Sequence, residues 1–307
     1  MDFQAMQNEV GSQLRFDVSV SANLTLVKRW INRAQQYIAG KHDWSWLQSR
    51  EIVQTVADKT QSSPASSSVS VSVGGVTVTG SGTDFAATDV GRYIQIVGSN
   101  DWFKITARAS ATSITIESPW TGTSAASAAN YIIRTFYYSL SSSVDRIVSV
   151  RQATSPRKLA SMSPIQVDRW NPFYADTSNQ PYMYSCWGLD SSNLWVIQFY
   201  PWPTAAANME VFYYKVIADL SGNTDVGPMP QKLRDTLLVD MAVAYGREYL
   251  NDDRFTSAWN RADGELQEAI QKDGQNRGTL NVIEPIDAGV REDTIAQYPA
   301  NYPRQDV

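Results

Sequence analysis

The sequence predicts an α+β fold: a helical bundle formed by N- and C-terminal helices, with an inserted small antiparallel β barrel or sandwich. Apolar residues recur at helical spacing near both ends of the 307-residue chain, and the middle alternates apolar with polar residues, as half-exposed strands do. The last stretch is aperiodic and Pro-containing, which predicts an extended arm. These differences in sequence pattern divide the chain into residues 1–59, 60–134, 135–229, 230–274 and 275–307.

Residues 1–59 are predicted to hold the N-terminal helices and first strand of the helical core. Apolar residues spaced by three and four predict a one-sided helix over residues 24–39. Gly40 can end it in the left-handed conformation. A strand is predicted at 50–57. The candidate core residues of this helix are Leu24, Val27, Trp30, Ile31 and Ala34.

Residues 60–134 are expected to form the inserted β module. The segment opens with alternating Val and Ser or Thr, and Gly74-Gly75 between two Val-rich runs indicates a hairpin. Further strands are predicted at 92–97, 102–108, 113–117 and 131–134.

The second β-rich region, residues 135–229, is far more aromatic. A strand is predicted at 145–151. The runs 194–200 and 209–216 are interpreted as a hairpin pair around Pro201-Trp202-Pro203.

Helical spacing returns in residues 230–274, where two C-terminal helices are predicted to complete the core. Their candidate core residues are Leu237, Met241, Phe255, Trp259 and Leu266. The arm, residues 275–307, is unusually apolar, which indicates that it docks on another surface. Its candidate docking residues are Leu280, Val282, Ile283, Pro285, Ile286, Tyr298 and Tyr302.

Composition excludes several functions. A single Cys and a single His argue against a disulfide framework and a Cys- or His-rich metal site. A net charge of −5 argues against proteins that grip nucleic acid through many phosphates. No secretory signal and no membrane span are expected, since the start is polar and no apolar run reaches roughly 18 residues.

Catalytic motifs are also missing. His42 follows a helix end and Cys186 lies in an aromatic run, so both are interpreted as structural. The run Gly75–Gly82 lacks the Lys of a phosphate loop. We therefore expect no enzyme and no cofactor. Aromatic residues near Arg157 and Arg169 leave open a carbohydrate-binding or hydrolytic protein.

Several short motifs resemble tailed-phage head-to-tail adaptor, or head-completion, proteins. The segment Leu26–Leu47 is similar to their N-terminal helix, with a Trp-x-Asn-x-Ala pattern followed by a Trp-rich turn. The segment Thr83–Gly122 resembles a β insertion found in several of them. Its recurring parts are Asp89-Val90-Gly91-Arg92-Tyr93, Asp101-Trp102, Ser-Ile-Thr-Ile and Pro-Trp-x-Gly.

The resemblance implies a structural virion protein at the head-to-tail junction, assembled in the host cytoplasm. Such adaptors form a dodecameric ring between the portal protein and tail or nozzle proteins. DNA passes through their channel without specific binding. A tail-tube or stopper component is the main alternative within a phage particle.

Overall fold

The computed structural model describes residues 1–60, 67–97, 99–122, 126–154, 158–170, 177–178 and 180–276. It is a mixed α and β structure. The helices are α1 (Phe3–Leu14), α2 (Ser21–Lys41), α3 (Pro164–Trp170), α4 (Gln231–Leu233), α5 (Val239–Tyr249) and α6 (Phe255–Asn276). A π-helical turn, Arg234–Leu238, joins α4 to α5.

The helix ends follow local chemistry. Asp2 caps α1 by accepting a hydrogen bond from the Ala5 N–H at 2.8 Å, which satisfies one free backbone donor. Arg15 ends α1 in the left-handed conformation, with φ of 59°. The predicted end of the next helix at Gly40 is close to the observed end of α2 at Lys41.

The strands form three separate sheets. They are β1 (Gln48–Gln54), β2 (Lys59–Thr60), β3 (Ser68–Val71), β4 (Thr77–Ser81), β5 (Tyr93–Ile96), β6 (Phe103–Ser110), β7 (Ser113–Ile116), β8 (Ala126–Ala129), β9 (Tyr131–Arg134), β10 (Tyr137–Ser139), β11 (Val144–Gln152), β12 (Ala160–Met162), β13 (Met183–Leu189), β14 (Trp195–Tyr200) and β15 (Asn208–Lys215). The orders are β1-β15-β11, β10-β14-β13-β12 and β2-β9-β5-β6-β7-β4-β3-β8.

The eight-stranded sheet has a largely aliphatic core. Alternate residues of each strand point into it, because successive side chains of a strand face opposite sides. Thus Ile94 and Ile96 of β5 are fully buried, whereas Tyr93 and Gln95 between them are only half-buried. β3 and β4 form the hairpin predicted around Gly74-Gly75.

The three-stranded and four-stranded sheets share a second, more aromatic core. Val211 and Tyr213 of β15 pack there with Ile197 and Phe199 of β14 and Tyr184 of β13. The two sheets thereby bury one face each.

Contacts within the chain define two compact units. The helical unit comprises residues 1–47 and 217–307, and the β unit comprises residues 48–216. The helical unit contains α1, α2 and α4 to α6, and the β unit contains all three sheets and α3.

The predicted fold class is wrong. Instead of a helical bundle that carries one inserted barrel or sandwich, the chain forms a mixed structure in which three sheets account for residues 48–216. No ladder among the described strands joins the terminal strands β2 and β8 of the eight-stranded sheet, so it is not a closed barrel. Alternation reveals which residues share a face, but it does not reveal which strands pair.

The predicted hairpin of residues 194–200 with 209–216 is also wrong. β14 pairs with β10 and β13, whereas β15 pairs with β1 and β11. Pro201 and Pro203 lack the N–H that a ladder requires, and residues 201–207 carry the chain from one sheet to the other.

Candidate functional site

The candidate site is an aromatic cleft of about 970 Å³ in the β unit. Its aromatic residues are Tyr93, Trp102, Phe103, Phe136 and Tyr137. Its polar rim consists of Gln95, Asn100, Asp101, Ser118, Thr121 and Thr177. Arg134 and Ile132 complete the lining.

Strand register builds one wall of this cleft. Tyr93 of β5 lies opposite Arg134 of β9, and Gln95 lies opposite Ile132. All four side chains share the outer face of the sheet, because their neighbours along each strand point into the core. Residues about 40 positions apart in the sequence thus become direct neighbours.

Aromatic rings of the cleft pack at an angle to one another around Phe136, which is buried. The Trp102 ring meets Phe136 edge to face, with centroids 4.9 Å apart at 79°, and the Tyr93 ring is tilted at 52° with its centroid 5.1 Å from that of Phe136. Tyr137 lies 5.9 Å from Tyr93. Edge-to-face packing of this kind fixes ring orientation. Tyr93, Trp102 and Tyr137 remain half-buried.

The described residues of the cleft carry little net charge. Arg134 donates two hydrogen bonds from Nε and Nη2 to the Asp58 carboxylate, the shortest at 2.6 Å, and its guanidinium lies 5.1 Å from the Trp102 ring centroid. Asp101 accepts a hydrogen bond from Thr121 Oγ1 at 2.5 Å. The cleft therefore offers aromatic surface and neutral polar groups more than net charge.

A buried ion network supports the strands behind the cleft. Arg92 binds Asp89 at 3.0 Å and also donates to the backbone oxygens of Ala57 and Ile133. Lys59 Nζ lies 3.1 Å from the second oxygen of Asp89. The motif Asp89-Val90-Gly91-Arg92-Tyr93 thus supplies an ion pair, a Gly at φ of 90°, and one aromatic wall of the cleft.

A second exposed surface lies on the outer face of the three-stranded sheet. The Arg146 guanidinium lies 4.8 Å from the Tyr214 ring centroid, and that of Arg151 lies 5.3 Å from the Phe212 centroid. Ile52 is 62% exposed on the same face. Arg and aromatic residues are enriched in protein interfaces, so this face has the composition of a contact surface.

The predicted helical-core residues all lie in the helical unit. Val27, Trp30, Ile31, Ala34, Leu237, Met241 and Leu266 are buried, and Leu24, Phe255 and Trp259 are partly buried. Trp259 contacts Tyr37 of α2 and Tyr245 of α5 at centroid distances of 5.5 Å each. The seven predicted docking residues of the arm, Leu280 to Tyr302, lie outside the described residues.

The His42 and Cys186 side chains occupy structural positions. His42 Nε2 lies 3.3 Å from Asp273 Oδ2, and Ser45 Oγ donates to the other oxygen of the same carboxylate. Both side chains bind Asp273, which is not the serine–histidine contact that activates a nucleophile. Burial raises the pKa of the Cys186 thiol, as expected of a thiol packed near a core.

The described residues contain neither a candidate metal site nor a candidate membrane-spanning helix. Among residues 1–276, apart from the gaps given above, no group of three His, Cys, Asp or Glu residues could hold a metal ion. Within those same ranges, no helix has the length and apolar character needed to cross a bilayer.

The sequence patterns did not predict the cleft. The signals were present, since Tyr93, Gln95, Ile132 and Arg134 occupy the alternate positions of two predicted strands. What was missing was the pairing of those strands, which brings the positions together.

Comparison with known families identifies the class of protein. The SU10 adaptor protein family matches residues 87–283, which is more than half of the chain, so the chain belongs to that family. It is therefore a phage adaptor-type structural protein and a component of the virion that associates with other virion proteins. No curated protein matches the chain.

Proposed function

We propose that this protein is the adaptor that joins the portal protein to the tail at the head-to-tail junction and extends the DNA channel. In this proposal it is a structural protein, not an enzyme, and it acts as a homo-oligomeric, dodecameric ring. The observation that carries the proposal is the family match, which runs from the ion-pair motif at Asp89 through both C-terminal helices into the arm.

Surface chemistry supports a contact role. The aromatic cleft presents the half-buried rings of Tyr93, Trp102 and Tyr137, and the outer face of the three-stranded sheet presents the exposed Arg146. Trp, Tyr and Arg are the residue types that dominate binding energy in interfaces. A ring requires a head-to-tail contact that closes on itself, so each copy needs two different surfaces.

The charge of the chain supports free passage of DNA. Residues 231–273 carry six basic and nine acidic side chains. A surface of that sign repels phosphates over about 8–10 Å at physiological salt. DNA therefore slides past it without specific binding.

The arm is proposed to dock on the portal or on a neighbouring copy, with its apolar residues 280–286 as the portal-facing part. A chain that ends at Asn276 tests this, because it retains Asp273 and its contacts with Ser45 and His42. We expect co-sedimentation with purified portal rings to be lost and the thermal unfolding curve to be unchanged. The control is the full chain with residues 277–307 in scrambled order.

The particle provides the decisive test. A nonsense mutation in this gene is expected to give DNA-filled heads without tails in electron micrographs, and a plasmid copy should restore the tails. Labelled protein in a layer that does not touch the portal would instead identify a tail-tube or stopper component. Tailed particles formed without the protein would contradict the proposal.

A further inference from the structure

We propose that the aromatic cleft binds the Tyr-Pro segment of the arm, residues 298–304, in an extended polyproline conformation. This inference rests on the proposed function only for its place in the assembly, where it would tie adaptor copies through their arms. The binding itself is a property of this chain and can be measured without portal or tail.

The walls of the cleft match the rings of such a segment. The half-buried rings of Trp102, Tyr93 and Tyr137 pack around Phe136 and give the cleft an aromatic lining. Grooves lined by aromatic residues are the recognition mode for proline-rich segments, because proline is apolar and loses little entropy on binding. The volume, about 970 Å³, exceeds what one side chain fills and suits a short peptide.

The rim of the cleft matches the backbone of such a segment. A polyproline helix makes no internal hydrogen bonds, so its carbonyl groups remain free acceptors. Gln95, Asn100, Ser118 and Thr177 line the cleft and carry amide or hydroxyl groups that can donate to such carbonyls.

Charge argues against an anionic occupant. Among the described residues that line the cleft, Arg134 is the one basic residue, and Asp58 holds it in a two-hydrogen-bond ion pair. Asp101 at the rim adds negative charge, which disfavours phosphate groups and favours a basic residue such as Arg304.

The sequence of the arm supplies the matching ligand. Tyr298-Pro299 and Tyr302-Pro303 repeat one dipeptide four residues apart, and Arg304 follows. Proline fixes its own φ near −65° and disfavours the helical region for the residue before it, so both Tyr residues favour extended backbone.

About 20 residues separate Asn276, the end of α6, from Tyr298, and a stretch of that length reaches at most about 70 Å. Tethering raises the effective concentration of the segment to the millimolar range, so a weak contact suffices in the assembly.

A peptide titration tests the proposal directly. The chain ending at Asn276 is titrated with a fluorescent peptide of residues 294–307, and anisotropy is measured. We expect saturable binding, with a Kd at least tenfold higher when Pro299 and Pro303 of the peptide are both replaced by Ala. This comparison leaves the protein unchanged, so it does not depend on the folding of any variant.

A protein variant then locates the binding. Trp102→Ala is expected to weaken binding at least tenfold, since truncation of a central aromatic residue costs about that much or more. Tyr249→Ala is the matched control, because Tyr249 is an aromatic residue of the helical unit that is 57% exposed outside the cleft. Its Kd should equal that of the parent chain.

Three results would overturn the proposal: no saturable binding, equal binding of a scrambled peptide, or equal loss with Trp102→Ala and Tyr249→Ala. Binding of chitotriose or maltotriose at the cleft in place of the peptide would assign it to carbohydrate instead. Portal co-sedimentation by the full chain with Pro299→Ala and Pro303→Ala tests the proposed function separately, so the two failures are distinguishable.

Discussion

The two units of this protein differ in how deeply several of their described ion pairs are buried. The β unit buries ion pairs, with Asp89 and Arg92 2% and 8% exposed. The helical unit keeps pairs such as Arg254–Asp252 and Lys272–Glu268 at its surface. A buried charge that loses its partner is costly, whereas a surface pair contributes little. Removing one partner of a buried pair is therefore expected to lower the free energy of unfolding more than removing one partner of a surface pair.

Breaking a buried pair should give the largest effect. Asp89→Ala leaves Arg92 and Lys59 without their shared carboxylate and is expected to lower the free energy of unfolding by about 3–5 kcal/mol. Denaturant unfolding monitored by tryptophan fluorescence measures it. Glu268→Ala, which removes the exposed pair with Lys272, is the control and should give little change. Similar losses in both variants would refute the contrast between the units.

Close packing around glycine should give an intermediate effect. A Cβ at Gly122 would lie 2.4 Å from the indole of Trp120, which is buried in the core of the eight-stranded sheet. Gly122→Ala is expected to cost about 1–3 kcal/mol by overpacking. This contact also explains the Pro-Trp-x-Gly motif.

Gly264 provides the matched control in α6, since a Cβ there meets nothing within 4 Å. Gly264→Ala should raise stability by roughly 0.5–1 kcal/mol through helix propensity. Thermal unfolding of both variants would show whether Gly122→Ala lowers stability and Gly264→Ala raises it. A stabilising Gly122→Ala would show that the Trp120 indole has room to move.

The smallest expected effect on stability concerns a partly buried carboxyl group of the helical unit. Partial burial raises the pKa of Glu265, and the nearby charge of Asp240 raises it further. A raised pKa in the folded state means that stability is lost as the pH rises through that pKa. Glu265→Gln should therefore raise the Tm at neutral pH, and the gain should vanish in acid.

Glu268, one helical turn later, should behave in the opposite way. A hydrogen bond from Lys272 lowers the pKa of Glu268, so its ionised form stabilises the folded state above its ordinary pKa. Glu268→Gln should slightly lower the Tm at neutral pH. Melting curves between about pH 3 and pH 8 would show whether the two substitutions diverge, and parallel curves would contradict both assignments.

Local signals predicted the elements better than their arrangement. The strand at 131–134 was predicted with its observed bounds, and helical spacing located α2 and α6. The partners of β14 and β15 could not be predicted, because period-two alternation is the same whichever strand lies alongside. The fold class failed for that reason.

The cleft shows the same limit. The Asp101-Trp102 turn was visible as a motif, but its place beside Phe136 depends on the packing of loops from distant parts of the chain. The ion pair between Asp58 and Arg134 joins residues 76 positions apart, and no spacing rule reaches that far.

The carboxylate of Asp273 ties the last turns of α6 to the segment that follows α2. It accepts hydrogen bonds from the backbone N–H and the hydroxyl of Ser45, one helical turn before α6 ends at Asn276. A force that unwinds α6 from its C-terminal end must therefore break this contact with Ser45 before it reaches the rest of the helix.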